Sequence, residues 1–69
     1  MNQYQRISKY IDDFGSITTM DAFMDLGITK LSTRINEMIR NGEKISKRME
    51  SSLNRYGNPV RYMRYTKAV

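Results

Sequence analysis

The sequence predicts a mostly α fold with a small β-hairpin, an α+β domain in which three helices precede two strands. Three observations predict it. Apolar residues recur at helical spacing through residues 3 to 41, the pattern changes beyond Gly42 to short runs rich in valine, tyrosine and methionine, and glycines fall at the boundaries between segments. A chain of 69 residues has room for one core, so residues 1–69 are expected to form a single domain.

The elements follow in order. Tyr4, Ile7, Ile11 and Phe14 are spaced by three, four and three, the apolar stripe of a helix over about 3–14, with Gly15 placed to cap its C-terminus. In "SITTMDAFMDLG", Ser16-Ile17-Thr18 reads as a short extended piece. Thr18 is the N-cap of a second helix over about 19–26, with Asp21 in the acidic slot three residues on and Phe23 and Leu26 on the buried side. Gly27 ends that helix, Thr29 is placed to cap again, and "KLSTRINEMIRNG" repeats the spacing with Leu31, Ile35, Met38 and Ile39 in a third helix over about 30–41. A hairpin then pairs about 44–53 with 60–66 around the turn residues of "NRYGNP". Two registers compete. Pairing Met49 with Tyr65 and Ser51 with Met63 buries Ile45, Met49, Met63 and Tyr65 and sets Glu50 opposite Arg64, and this one is preferred; a slip of one residue buries Leu53 and Tyr62 instead.

Composition narrows the chemistry. The chain has no cysteine and no histidine, so no disulfide, no metal site and no cofactor is expected, and the usual general base and thiol nucleophile are missing. Asp12 and Asp13 are adjacent carboxylates, but neighbours on a helix point about 100° apart and do not converge on one atom. Gly15, Gly27, Gly42 and Gly57 punctuate separate boundaries rather than forming a phosphate loop. A non-enzyme is expected. No apolar run approaches the roughly 18 residues of a membrane span and "MNQYQRISKYIDD" is too polar for a signal peptide, which points to an intracellular protein that does not engage a membrane.

The net charge of +5 is unevenly distributed. Residues 1 to 41 balance Arg6, Lys9, Lys30, Arg34 and Arg40 against Asp12, Asp13, Asp21, Asp25 and Glu37. Residues 42 to 69 set Lys44, Lys47, Arg48, Arg55, Arg61, Arg64 and Lys67 against only Glu43 and Glu50. The whole excess therefore lies in the hairpin half, as suits a surface that meets a polyanion.

Order then carries the functional expectation. Two helices joined by a tight glycine-containing turn, "DAFMDLGITKLSTRI", form a helix-turn-helix unit, and a hairpin after the second of them is the arrangement of a winged helix. On a helical wheel Leu31, Ile35, Met38 and Ile39 share a core arc, with Lys30, Thr33, Glu37 and Arg40 opposite, Thr29 and Asn36 on one shoulder and Arg34 on the other. These are base-reading types: lysine or arginine suits guanine, asparagine suits adenine, and threonine suits a base edge or a thymine methyl.

The stretches "QYQRISKYIDDFGSITTMDAFMDLGITKLSTRI", "IRNGEKI" and "NRYGNPVRYMRY" together resemble the small winged helix-turn-helix domains encoded by bacteriophages and prophages. The resemblance spans nearly the whole chain. It implies binding to double-stranded DNA in the cytoplasm of a bacterial host, with the helix after "LGIT" as recognition helix and Lys30, Ser32, Thr33 and Arg34 at its DNA-facing start. The recognition set is thus Thr29, Lys30, Ser32, Thr33, Arg34, Asn36 and Arg40, and the wing set Lys44, Lys47, Arg48, Arg55, Arg61 and Arg64. A monomer this small covers few base pairs, so a homodimer or cooperative neighbours are expected partners on DNA. The alternative is a protein-interaction module whose basic hairpin and methionines dock on a host or phage protein.

Overall fold

In the computed structural model, which describes residues 1–68, the chain runs helix, short strand, helix, helix, strand, strand. Helix α1 spans Gln3–Phe14 and starts at a capping box: Asn2 Oδ1 accepts from the Gln5 backbone N–H at 2.8 Å, and Gln5 Oε1 accepts from the Asn2 N–H at 3.0 Å. Ile7 and Ile11 are buried as the spacing predicts, but Phe14 is 71% exposed. It leaves the stripe to lie against Tyr10, ring centroids 4.6 Å apart.

Strand β1, Ile17–Thr18, leads directly into the second helix. The expected cap is present: Thr18 Oγ1 accepts from the Asp21 N–H at 3.2 Å and Asp21 Oδ2 accepts from the Thr18 N–H at 3.0 Å. Helix α2 is a single α-turn, Thr19–Asp21, which widens into a π-helical segment, Ala22–Leu26. The Ala22 carbonyl accepts from the Ile28 N–H at 3.0 Å, so the chain closes a wide loop before it turns. Widening changes which side chains face inward. Ala22 and Ile28 are buried, Leu26 is half-buried, and Phe23, expected on the buried side, is 55% exposed.

Helix α3 spans Leu31–Arg40. Thr29 does not cap it: Lys30 occupies the N-cap position, without a side-chain cap bond. Its end is well specified, because Gly42 at φ +100° lets the Gly42 N–H reach the Ile39 carbonyl and the Glu43 N–H reach the Met38 carbonyl, both at 3.0 Å. Leu31, Ile35 and Met38 are buried, while Ile39, placed in the core arc by the wheel, is exposed.

Strands β2, Ile45–Leu53, and β3, Pro59–Lys67, form the hairpin, and β1 adds to β3 antiparallel to give a three-stranded sheet in the order β1-β3-β2. The register pairs Met49 with Met63, Glu50 with Tyr62 and Arg48 with Arg64. The preferred sequence register is therefore wrong by two residues. A slip of two preserves faces, and Tyr65, Met63 and Ile45 do pack inward as expected. Met49 does not; it lies on β2, the strand farthest from β1, and is exposed. In the alternative register Leu53 would be buried, and it too is exposed.

One core gathers Ile7 and Ile11 of α1, Ile17 of β1, Ala22 and Ile28 of the turn region, Leu31, Ile35 and Met38 of α3, and Tyr65 of β3. Every residue from Ser51 to Arg61 is exposed, so the outer half of the hairpin projects beyond this core. The radius of gyration shows the projection, at 12.4 Å, against about 11 Å for a compact chain of this length.

Candidate nucleic-acid interface

The outward face of α3 is set by which residues the core takes. With Ile39 excluded, the buried row is Leu31, Ile35 and Met38, and the face turned away from it centres on Thr33, Asn36 and Arg40. Thr29, Lys30 and Ser32 are exposed beside them. Arg34 and Glu37 are drawn aside: both are half-buried, with Arg34 Nε 3.1 Å from Glu37 Oε1. Those two atoms are shielded from solvent without well-aligned hydrogen bonding, so the contact is an ion pair and no more. Arg34 therefore sits less openly than its neighbours, and the charge of Glu37 is partly neutralised by it.

The hairpin divides its basic residues between two faces, because side chains alternate along a strand. Lys47, Met49, Ser51 and Leu53 share with Arg61, Met63 and Tyr65 the face that packs on the helices. Arg48, Glu50 and Ser52 share the other face with Val60, Tyr62 and Arg64. On the outer face Arg48 Nη2 and Arg64 Nε both reach Glu50, at 2.6 and 2.8 Å, and Arg64 Nη1 also donates to Ser16 Oγ at 2.7 Å. The Arg64 and Arg48 donors hold the Glu50 carboxyl below the usual carboxylate range, while the same contact raises Arg64. Arg64 thus ties β3 to β2 and to the β1 approach, which leaves it half-buried and engaged.

On the helix-facing side Lys47 Nζ donates to Asn36 Oδ1 at 2.8 Å. This bond brings one residue of the recognition set against one of the wing set, 11 positions apart in sequence. Among the described residues Lys30, Arg40, Lys44, Arg55 and Arg61 make no ion pair, and all five are exposed.

The wing tip is closed by a side chain. Asn54 and Asn58 pair through the Asn54 N–H and Asn58 carbonyl at 2.9 Å, while Asn54 Oδ1 accepts from the N–H groups of Tyr56 and Asn58 at 2.9 and 3.0 Å. Gly57 takes φ +79°, as the last residue of such a three-residue loop requires. Arg55 and Tyr56 are left at the tip, fully in solvent.

Sequence reasoning missed two features. One is the Lys47–Asn36 contact, which crosses elements and leaves no local signal. The other is a row of exposed apolar residues on the second helix, Met20, Phe23 and Met24, of which Met20 and Phe23 lie beside Val60 and Tyr62 across a groove. Spacing alone does not signal it, since the α-helical period sets Phe23 on the buried side and the π-helical turn from Ala22 turns it out.

Three helices, the second and third joined by a tight turn, and a sheet whose last two strands project as a hairpin define a winged helix. The chain belongs to the family described as winged helix-turn-helix domain, which matches residues 2–68. No curated protein and no solved structure matches it. Membership suggests DNA binding. Among the described residues no helix is long and apolar enough to cross a membrane, and no group of three histidine, cysteine, aspartate or glutamate side chains is placed to hold a metal ion.

Proposed function

We propose that the chain is a sequence-preferring, double-stranded DNA-binding protein that lays α3 in the major groove and sets the 54–59 wing on the phosphate backbone or in the minor groove. The observation that carries it is the pairing of an open polar row, Thr33, Asn36 and Arg40, with a projecting hairpin that bears Arg55 at its tip and Arg61 on its helix-facing side, in a chain of the winged helix-turn-helix family. Regulation of phage or prophage transcription in a bacterial cytoplasm, or an accessory role in DNA handling there, is supported by the likeness of the quoted motifs to phage-encoded domains. Specific sites would be filled by a homodimer or by cooperative neighbours.

Duplex binding measured against salt tests this directly. Affinity for a random-sequence duplex should fall with rising salt at a log-log slope of about 0.9 per phosphate contacted. Absence of binding at low salt would remove the proposal.

A second function, as a protein-interaction module, is favoured by the exposed Met20, Phe23 and Met24, since clustered exposed apolar side chains mark docking surfaces. Replacing Phe23 by serine separates the two: DNA affinity should be unchanged if the helix-two row serves a protein partner alone.

A further inference from the structure

We infer that Lys47 acts as a positioning and selectivity residue for Asn36, so that the pair reads the guanine edge of a base pair and discriminates against adenine. The inference rests on the DNA-binding proposal above. An ammonium group only donates, so the carboxamide atom facing Lys47 Nζ at 2.8 Å is necessarily the Asn36 oxygen. With the oxygen engaged, the NH2 group is the arm of this exposed carboxamide left to meet a ligand. The two together offer N–H donors and a positive charge to whatever lies over the middle of α3.

Base edges answer that array differently. In the major groove guanine presents two acceptors, N7 and O6, whereas adenine presents N7 beside an N6 amino donor. An unencumbered asparagine suits adenine because its oxygen takes the N6 proton while its nitrogen donates to N7. With the Lys47 ammonium on that oxygen, the adenine amino group meets a cation already bound to the acceptor it needs. Guanine O6 meets an attractive charge instead. The hairpin root thereby sets the selectivity of a side chain on the helix, and the adenine preference that Asn36 would show alone is reversed.

Selection of bound sites from a random duplex pool, run on the wild-type chain and on Asn36→Ala, Lys47→Met and Lys47→Arg, tests this. Both side chains are exposed, so the variants should melt as the wild type does. The wild type should enrich guanine at one position whose preference vanishes in Asn36→Ala. Lys47→Met should move that position toward adenine by about tenfold, the discrimination expected of one base-edge contact, leaving other positions as they were. Lys47→Arg, which keeps both donor and charge, should retain guanine. The inference is overturned if the Asn36-dependent position is adenine in the wild type, if Asn36→Ala alters no position, or if Lys47→Met weakens all sequences alike and keeps guanine. If the wild type binds no duplex at all, the DNA-binding proposal itself falls.

Discussion

The two halves of the hairpin are made of the same paired strands and differ in burial. At the root Tyr65 is 4% exposed, Met63 and Ile45 pack beside it, and β1 pairs with β3 through Ile17 and Thr18. The Glu50–Tyr62 pair is half-buried, and beyond it, from Ser51 to Arg61, every residue is exposed. Strand pairing continues unbroken along both halves, so hydrogen bonding alone does not distinguish them. The difference is burial, which ties the root to the core and leaves the tip in solvent.

Two tyrosines on this hairpin break the comparison most sharply. Tyr65→Ala removes a buried aromatic from the core it shares with α1, β1, the turn region and α3, and should cost about 3–5 kcal/mol, the usual penalty for aromatic truncation. For a domain of this size that is a large fraction of the total stability. Tyr56→Ala at the tip should change stability by no more than about 0.5 kcal/mol. Denaturant titration of the two variants side by side measures the contrast, and equal losses would show that the tip is packed.

Next in size is the tip's effect on binding. Arg55 has no ion-pair partner among the described residues. Arg55→Ala should leave the melting temperature unchanged, weaken duplex binding for all sequences similarly, and lower the salt slope by about one. Arg64→Ala should do the reverse, since Arg64 is engaged with Glu50 and Ser16. Titrations at several salt concentrations, paired with melting curves, place each arginine on the binding or the folding side.

How much of this division the sequence disclosed depends on the range of the interaction. The spacing of Ile7 and Ile11, the Thr18–Asp21 box and the Gly42 stop are local, and the structure contains each of them. The hairpin faces were legible from alternation, but the register was not. Asn54 closes the loop through its own side chain, holding Tyr56 and Asn58, and so shortens the turn and moves every pair by two. The placement of Phe23 failed for a different reason: the wheel assumes an α-helical rotation per residue, and the segment from Ala22 is π-helical. In the candidate site, the solvent-facing row of α3 was visible from periodicity. The sorting of Arg48 and Arg64 onto Glu50, and of Lys47 onto Asn36, required knowing which residues the register sets together.

Glu50 offers a subtler probe of the root. Its carboxyl is held low by Arg64 and then by Arg48. A carboxylate lowered in the folded state contributes stability that is fully present above its unfolded value and is lost as pH falls through the lowered folded value. Wild-type melting temperature should therefore decline on acidification below the ordinary carboxylate range, and Glu50→Gln should flatten part of that decline. If the acid profiles of the two proteins coincide, the carboxylate does not hold the strands.

The smallest expected effect lies where α1 meets the second helix. Tyr10 Oη donates to Asp25 Oδ2 at 2.5 Å, and that bond, ahead of desolvation and the nearby Asp21 charge, pushes the Tyr10 hydroxyl up to about 12. Tyr65 is also raised, but by burial. The causes predict different responses to one substitution. A raised hydroxyl contributes stability present below its unfolded value, near 10, and lost as pH rises through the folded one. Asp25→Asn removes the charged acceptor, so ultraviolet titration should show one tyrosine ionising earlier than in the wild type while Tyr65 stays late. Should both move together, the two rings share one environment, and the packed region extends from the hairpin root to the end of α1 as a single electrostatic unit.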